Sequence, residues 1–534
     1  MLGRLPTLAA VELAFGGARA EPERLTVDVE HRDDETDWSV ANDTATPVAV
    51  ERVQLVWRVR ANGPLRAFLH GWQSWSACHG TVVGDHEDPS RRGDPGLVRA
   101  MHHADDAVAG AGEARSELVT ALADDDSALG AGFDGGAGHD GTFRLRDRGH
   151  ELVAEAFLGG AVLGPGERRR LHTVRIEHGD PGPALERWAA WAGTRSGART
   201  GGPYITGWCS WYHYFHDVSE AALRDNLARA GDFGFEVFQL DDGYQAAIGD
   251  WLDRAPAFSS PLETLAADIA AAGHRPGLWL APFLVSPSST LARARPDWIV
   301  RRPSGRPMVG MVNPGWGGEQ HVLDTTHPEV LDHLERLART LVAMGWSYLK
   351  LDFTYAPSFT GRWHDPTRTP AQRVRAGYDA IRRGAGDATF LLGCGAPLGP
   401  CVGAVDGMRI GPDVAPHWEP RSPFAAYADT VPATANALRN TRARSFLHRR
   451  LWINDPDCLM LRRDATELTP AQIEAWSDAV AASGGMALVS DDLALLGGDA
   501  AARFDDVVTV GRAVDEAAAA GHGPEWSSAA MGPR

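Results

Sequence analysis

The sequence lacks several features that mark common classes of protein. Its 534 residues include five cysteines, an odd number spread from Cys78 to Cys458, without a CxxC zinc pattern or a disulfide framework. It has no run of about 18 apolar residues, which a membrane-spanning helix requires. Its N-terminal stretch is interrupted by Pro6 and Glu12 and lacks the apolar segment of a secretion signal. We therefore expect a cytoplasmic protein with no membrane partner.

Positive charge is also scarce. Asp and Glu number 70 against 52 for Lys and Arg, which gives a formal net charge of −18 at pH 7. A protein that binds the phosphate backbone of nucleic acid would carry the opposite sign, so we expect no nucleic-acid partner. Lys350 is the single lysine, and all other strong cations are arginine. Because an ammonium and a guanidinium differ in shape and hydration, this exception indicates a tight polar site.

Composition and periodicity predict two folded parts. An apolar content of 44% is sufficient for large cores. Residues 1–180 contain short alternating stretches separated by Gly, Asp and Asn clusters, which predicts a β-sandwich. Residues 181–202 are predicted to form a helical linker, and residues 203–520 a (β/α)8 barrel. Residues 521–534 are predicted to be a disordered tail, with little or no C-terminal β-domain.

The barrel prediction rests on eight apolar strands that alternate with helices. No GxGxxG fingerprint follows any of these strands, which disfavours a doubly wound sheet. Only a short link follows the fifth strand. The predicted strands are 204–209, 237–240, 276–280, 348–352, 390–393, 408–410, 452–454 and 487–490. The predicted helices are 219–230, 262–272, 328–344, 370–383, 432–448, 470–482 and 500–520.

Barrel enzymes place their chemistry where strands end, and polar residues follow several of the predicted strand ends. In YLKLDF (residues 348–353), strand alternation puts Lys350 and Asp352 on one face, which must point inward. An ammonium two residues before a carboxylate keeps that carboxylate ionised, as a nucleophile requires. A structural ion pair is the alternative interpretation. We predict that Asp352 is a catalytic nucleophile.

Further acids follow other strands. Asp413 lies in GMRIGPDV, where Pro412 stiffens the loop, and its carboxyl group is suited to protonating a leaving oxygen if its surroundings raise its pKa. A loop Asp that caps backbone amides is the alternative. Asp241 and Asp242 end FQLDDGYQ, and burying two acids for stability alone would be costly. Carboxylates accept hydrogen bonds strongly from sugar hydroxyls.

Aromatic residues are dense at the same ends. The segment GWCSWYHYFHD (residues 207–217) supplies an aromatic wall, and further tryptophans lie in other loops: Trp251, Trp279, Trp316 and Trp418. Tryptophan rings stack on the apolar faces of sugars. Because most large aromatics belong to cores, only those at strand ends favour a sugar site.

Together, GWCSW, LDDGYQ, YLKLDF, the RxxxD of Arg409 to Asp413, WINDPD (residues 452–457) and HGWQSWS (residues 70–76) resemble glycoside hydrolase family 36. That family contains α-galactosidases and raffinose-synthase-like proteins and is related to families 27 and 31. The resemblance implies a retaining α-galactosidase with Asp352 as nucleophile and Asp413 as acid/base. It implies no metal or cofactor, an α-galactoside or oligosaccharide substrate, and is compatible with a homo-oligomer. The substrate-binding residues it implies are Asp241, Asp242, Lys350, Arg409, Trp208, Trp211, Cys394, Trp279 and Asp457.

Two departures leave the specificity open. The acid/base segment reads GPDVAPHW, where many bacterial members have a Ser-Asp-Asp pattern. The CSWYHYF segment resembles the compact and raffinose-synthase-like branches of the family. The alternatives are therefore an α-galactosyl transferase of raffinose-synthase type, an α-N-acetylgalactosaminidase or an α-glucosidase.

Two other classes compete with a glycosidase. A metal-dependent barrel hydrolase or isomerase would use His213, His216, Asp217, Asp241 and Asp455. His213 and His216 form HxxH rather than the HxH of metal-dependent amidohydrolases, which disfavours that class. A non-catalytic carbohydrate-binding protein would need the aromatic residues but not both catalytic acids.

Overall fold

The chain begins with two antiparallel sheets. The structure, a computed structural model, describes residues 7–14, 25–84, 100–101, 113–146, 149–421, 429–524, 526 and 528–531, so parts of the predicted β-sandwich and of the predicted tail lie outside the described residues. One sheet has the strand order β1-β4-β11-β10-β7; the other has β12-β3-β13-β9-β8-β5-β6, with β2 paired to β3. The strands are β1 Thr7–Ala14, β2 Leu25–Arg32, β3 Glu35–Asn42, β4 Val48–Arg58, β5 Arg66–Leu69, β6 His79–Val82, β7 Ala114–Glu117, β8 Val119–Ala123, β9 Ala128–Phe133, β10 Asp140–Arg146, β11 Glu151–Leu163, β12 Arg168–Arg170 and β13 Val174–His178.

A helix packs directly on this part of the chain. Helix α1, Pro181–Ser196, has proline at its first turn and ends at Gly197, whose φ of 66° is the left-handed conformation that favours glycine. Its Trp188 is fully buried and donates from Nε1 to the carbonyl of Phe133 at 3.0 Å. The bare α-carbon of Gly132 makes room for that ring, since a Cβ there would lie 2.0 Å from Trp188 Nε1.

Eight parallel strands follow in the order β23-β22-β21-β20-β16-β15-β14-β24. The two outer strands meet through Leu459, whose amide donates to the carbonyl of Leu488 and whose carbonyl accepts from Ser490, so the barrel is nearly closed. This confirms the predicted fold class, a strand-rich N-terminal part followed by a (β/α)8 barrel. The barrel strands are β14 Thr206–Cys209, β15 Val237–Leu240, β16 Arg275–Leu280, β20 Tyr348–Leu351, β21 Phe390–Gly393, β22 Gly407–Arg409, β23 Ile453–Asp455 and β24 Ala487–Val489.

The barrel helices begin with strong local signals. Thr369 and Thr469 each form a capping box with a glutamine three residues later, followed by proline at the first helical position. The predicted helix 432–448 is shorter, because it ends at Ala443 and continues as a 3-10 turn, Ser445–Leu447. The helices are α2 Trp211–Tyr214, α3 Glu220–Arg229, α4 Leu262–Ala271, α5 Thr290–Ala294, α6 Pro328–Ala343, α7 Pro370–Ala385, α8 Leu398–Cys401, α9 Thr434–Ala443, α10 Pro470–Ser483 and α11 Gly498–Ala519.

Several elements were not predicted, namely three short helices (α2, α5 and α8) and a small sheet. The small antiparallel sheet lies between β16 and α6, formed by β17 Leu284–Val285, β18 Val309–Asn313 and β19 Gly318–Val322. Its turn between β18 and β19 carries Trp316, whose indole donates to Asp242 at the barrel mouth. Across the described residues, no helix combines the length and apolarity needed to cross a membrane.

The C-terminal segment, residues 521–534, was expected to be disordered, but several of its described residues pack against the rest of the chain. Trp526 is buried and donates from its indole to the carbonyl of Ala443 at 2.9 Å. Its ring packs edge-on against Phe68 at 5.3 Å, and Met531 is also buried. A large apolar ring gains more from burial than its short segment loses in chain entropy. Composition alone therefore underestimated the order of this segment.

Candidate active site

The single lysine lies at the centre of the barrel mouth. Lys350 is on β20, is 4% exposed, and donates from Nζ to Asp241 Oδ2 at 2.9 Å. Burial lowers the pKa of Lys350, but Asp241, Cys394 and Asp352 together hold that pKa well above its usual value. The hydrogen-bond partner of the ammonium is therefore Asp241, whereas Asp352 interacts with it only through longer-range electrostatics.

Asp241 is held by several donors at the end of β15. Besides Lys350, its Oδ2 accepts from Gln239 Nε2 at 2.5 Å and faces Cys209 Sγ at 3.5 Å. Its amide donates to Ser210 Oγ at 2.9 Å. Sequence reasoning missed Gln239 and Cys209. Strand alternation was the available signal, because Gln239 lies two residues before Asp241 on the same strand face.

Asp352 is buried directly after β20. Its Oδ2 accepts from Trp279 Nε1 at 3.0 Å and its Oδ1 from the amide of Phe353 at 2.8 Å. Burial raises the pKa of Asp352; Lys350 opposes this effect, while the nearby Asp413 adds to it. The backbone turns sharply after this acid, since Phe353 has a φ of 52°. Such a conformation costs energy in a bulky residue and is characteristic of functional loops.

Asp242 faces away from Asp241, towards the loops. Its Oδ1 accepts from Gln245 Nε2 at 2.6 Å and its Oδ2 from Trp316 Nε1 at 2.7 Å. His216 Nδ1 lies 3.3 Å from the same Oδ2. Burial raises the pKa of Asp242 to about 6, against the hydrogen bonds and the imidazole, which lower it. The side chains of Asp241 and Asp242, adjacent at a strand end, thus point in different directions.

Arg409 gathers three carboxylates. Its side chain is 3% exposed, and its Nε donates to Asp455 Oδ2 at 3.0 Å. Its Nη1 bonds Asp413 Oδ1 at 3.0 Å, and its Nη2 bonds Asp457 Oδ1 at 2.8 Å. Asp413 is the most accessible of the three, with 29% of its side chain exposed. The guanidinium therefore fixes one oxygen of Asp413 while the carboxyl group stays within reach of solvent.

Two predicted substrate-binding residues have other positions. The prediction for Trp208 was wrong, because its ring is fully buried, stacks on Phe238 at 4.3 Å and donates to the carbonyl of Asp491. The neighbouring Cys209 faces inward, so alternation turns Trp208 outward. Asp457 is also fully buried, and its oxygens are bound by protein donors, namely Arg409, Tyr212 and the amides of Val414 and Cys458. It supports Arg409 and the Asp413 loop from below.

The remaining predicted aromatic and thiol residues border the acids. Trp279 bonds Asp352 and packs against Trp316 at 5.9 Å. Trp211 is half-buried and lies edge-on to Phe215 and His216, on the Asp242 side. Cys394 is buried, and its pKa is raised well above its usual value by burial and by Asp352.

Trp75 is a site residue that sequence reasoning used for the resemblance without placing it at the site. It comes from the N-terminal sheets, and its ring lies edge-on to Phe353 at 5.0 Å. A Cβ on Gly395 would meet both the Trp75 ring, at 2.7 Å, and Asp352 Oδ1, at 3.0 Å. Trp75 therefore borders the same small space as Asp352, although 277 positions separate them along the chain.

Two of the three acids of the metal-site alternative already have cationic partners. Asp241 is bound by Lys350, and Asp455 by Arg409. His216 lies against Asp242. A metal ion would have to displace a buried ammonium or guanidinium from these carboxylates, so the arrangement does not favour that class.

Acids at the mouth of a (β/α)8 barrel, bordered by indole rings, are an arrangement typical of barrel glycoside hydrolases. The family model described as Melibiase matches residues 204–369. The α-galactosidase AgaA of Geobacillus stearothermophilus is 30% identical over 151 residues, which make up 27% of this chain and 20% of AgaA. The aligned segment thus spans about a fifth of that curated relative.

Solved structures extend the similarity over most of the chain. The α-galactosidase TtGalA from Thermus thermophilus, solved with p-nitrophenyl α-D-galactopyranoside, is 28% identical with a TM-score of 0.71, covering 88% of this chain and 92% of TtGalA. The GH36 α-galactosidase AgaA shares the fold at 14% identity and a TM-score of 0.60, covering 95% of this chain and 73% of AgaA. The chain is therefore similar to an α-galactosidase over most of its length.

Asp242 gives a prediction that does not depend on a substrate. Because its pKa is raised to about 6, the folded chain keeps this proton between about pH 4 and pH 6, where the unfolded chain has lost it. The unfolded state binds fewer protons over that range, so this contribution to stability falls as pH rises and is constant above about pH 6. Relative to Asp242→Asn, the wild type should lose about 1 kcal/mol between pH 5 and pH 7.

The measurement is the Tm of both proteins from pH 5 to pH 7. The difference, wild type minus Asp242→Asn, should decrease as pH rises to 6 and then remain level. A difference that instead grows with pH would mean that the pKa of Asp242 is depressed.

Proposed function

We propose that this protein is a retaining α-galactosidase that hydrolyses terminal α-galactosides through a covalent galactosyl-enzyme intermediate. The observation that carries the proposal is the contrast between two neighbouring acids. Asp352 is buried, with a hydrogen bond to each oxygen, whereas Asp413 is partly exposed and has one oxygen bound by Arg409. Retaining glycosidases need this division between a fixed nucleophile and an accessible proton donor.

The proposed reaction has two steps. In the first, a carboxylate oxygen of Asp352 forms a bond to the anomeric carbon while the bond from that carbon to the leaving oxygen breaks. Asp413, protonated at this stage, gives its proton to the leaving oxygen. In the second step Asp413 takes a proton from water, the water oxygen attacks the anomeric carbon, and Asp352 is released as a carboxylate.

The donors around Asp352 support its role. Trp279 and the amide of Phe353 hold both oxygens, so the carboxylate is oriented before the substrate arrives. Lys350 lowers the pKa of Asp352 against the effect of burial. The ion pair of Lys350 with Asp241 places an ammonium and a carboxylate side by side, a combination that both donates to and accepts from sugar hydroxyls.

The substrate class is supported by the relatives. TtGalA has been solved in complex with stachyose, and a doubly substituted variant of AgaA in complex with raffinose. We therefore propose terminal α-galactosides of oligosaccharides as substrates, bound through Asp241, Asp242, Lys350, Arg409, Trp211, Trp279 and Cys394.

We also propose a cytoplasmic location. All five cysteines are buried and free, so none is joined in a disulfide bond. Free thiols in this number are typical of a reducing compartment.

Asp352→Asn should abolish turnover while leaving the fold intact, because a carboxamide is nearly isosteric but does not attack an anomeric carbon. We expect at least a roughly 1000-fold loss of kcat on nitrophenyl α-galactoside. Added azide should restore part of the activity and yield β-galactosyl azide, identified by NMR. Unchanged circular dichroism is the control for folding, and a variant that keeps more than about a tenth of the wild-type rate would exclude Asp352 as nucleophile.

Asp413→Ala should lose activity according to the leaving group. Protonation matters most for a poor leaving group, so the loss of kcat/KM should be much larger on raffinose than on nitrophenyl galactoside. Azide should rescue the aryl reaction by replacing the missing base. Asp464→Ala, an exposed acid after β23, is the matched control and should behave as wild type on both substrates.

An equal loss on both substrates would contradict the assigned role of Asp413. Product analysis in the same assay separates hydrolysis from transfer, because a transferase releases little free galactose when an acceptor sugar is present.

Lys350→Arg should be poorly tolerated although the chain uses arginine elsewhere. The site of Lys350 is almost fully buried and closed around a single ammonium donor to Asp241. The planar guanidinium is larger, so it should displace Asp241 and lower kcat/KM by about 100-fold. Steady-state kinetics on nitrophenyl galactoside measure the loss, and an unchanged kcat/KM would show that the ammonium is incidental.

A further inference from the structure

The connection between β5 and β6 reaches from the N-terminal sheets to the barrel mouth. We call residues 70–78 the Trp75 loop. Its backbone is joined to the segment after Cys394, because Ser74 donates to the carbonyl of Ala396 and Leu398 donates to the carbonyl of Trp72, both at 3.0 Å. The loop therefore forms one side of the space next to Asp352.

A buried arginine from the barrel holds this loop. Arg444, which follows helix α9, is fully buried, and its guanidinium makes five hydrogen bonds. None of the five partners is a carboxylate. Four are backbone carbonyls, and the fifth is the imidazole of His70. The distances are 2.6 Å to Ser74 O, 2.9 Å to Ile410 O, 3.0 Å to Gly71 O, 3.1 Å to Gln73 O and 3.3 Å to His70 Nε2.

His70 is neutral in this arrangement. Burial, and then the nearby Arg444, lower the pKa of His70 to about 3. Its Nδ1 bonds the carbonyl of Glu117 at 2.8 Å, so Nδ1 carries the hydrogen and Nε2 is free to accept from Arg444. All three nitrogens of the guanidinium therefore donate to acceptors in the Trp75 loop.

Asn440 extends the same attachment from one turn earlier on α9. Its Nδ2 donates to the carbonyl of Ser76 at 2.9 Å, and its Oδ1 accepts from the amide of Cys78 at 3.1 Å. Asn440 is fully buried. Arg444 and Asn440 together bond the loop on both sides of Trp75.

The guanidinium also reaches the loop that carries Asp413. Its bond to Ile410 fixes the backbone just after β22, three residues before Asp413. One side chain therefore joins the Trp75 loop to the Asp413 loop. Trp75 itself has an indole nitrogen that is buried and finds no acceptor among the described residues, and its ring lies against Phe353 beside Asp352.

We propose that Arg444 is a positioning residue, which sets Trp75 and the Asp413 loop relative to Asp352 and so makes the N-terminal sheets part of the active site. This rests on the proposed function. Lysine cannot make the same set of hydrogen bonds as Arg444. An ammonium has three donors on one atom, whereas the planar guanidinium has five donors on three nitrogens.

The test is a double-mutant cycle on kcat/KM for nitrophenyl α-galactoside, with Arg444→Lys, Trp75→Ala and the double variant. Arg444→Lys should lose about tenfold or more, mainly in kcat. The double variant should lose clearly less than the product of the two single losses, because part of the effect of Arg444 passes through Trp75. Arg373→Lys is the matched control. This buried arginine lies over Trp363, and the acids that act on its charge are Asp324 and Asp365 rather than those of the site. The kcat/KM of this variant should change less than about twofold.

Hydrogen–deuterium exchange provides a readout that needs no activity. Arg444→Lys should speed exchange in peptides covering residues 70–78, while Arg373→Lys should not. If Arg444→Lys does not fold, Asn440→Ala, which removes two of the bonds to the loop, takes its place in the cycle and in the exchange experiment. Losses that simply multiply, or unchanged exchange at residues 70–78, would overturn the proposal. A wild type without activity on α-galactosides, but with the expected exchange result, would refute the proposed function alone.

Discussion

The geometry of the active site depends on the buried guanidinium of Arg409. It binds Asp413, Asp455 and Asp457 with its three nitrogens, and each carboxylate comes from a different point of the barrel end. A guanidinium keeps its charge when buried and bonds planar acceptors in fixed directions, so it determines both the charge balance and the angle of Asp413. Removing it would leave three acids facing one another in a poorly solvated space, which is strongly unfavourable.

The sequence was sufficient to predict the barrel and most of its acids. Eight strands recurred with helices between them, and Asp241, Asp242, Asp352 and Asp413 follow strand ends as expected. The pairing of Lys350 was only partly predicted. Its place on the inner strand face follows from alternation, but its partner, Asp241, lies on a strand two positions away in the barrel, and only the closed sheet brings the two together.

The errors have particular physical causes. Trp208 was predicted at the site because it is aromatic and near a strand end, yet alternation turns it outward while Cys209 turns inward. Strand alternation, which places Lys350 and Asp352 of YLKLDF on the inner face, also places Trp208 and Cys209 of GWCSW on opposite faces. Arg444 and the Trp75 loop are joined across about 370 positions, through the carbonyl of Ser74, and local patterns contain no information about such contacts. The order of Trp526 is likewise set by its long-range packing on Phe68.

The charge balance of the site fits the chemistry that we propose. Six acids (Asp241, Asp242, Asp352, Asp413, Asp455 and Asp457) surround two cations, Lys350 and Arg409, and burial raises the pKa of Asp242, Asp352 and Asp457. A neutral sugar gains little from this excess of acids. Glycoside cleavage, however, passes through an oxocarbenium-like state that develops positive charge at the anomeric centre. Carboxylates held in place before the reaction stabilise that state more than they stabilise the bound sugar, and this difference is what lowers a reaction barrier.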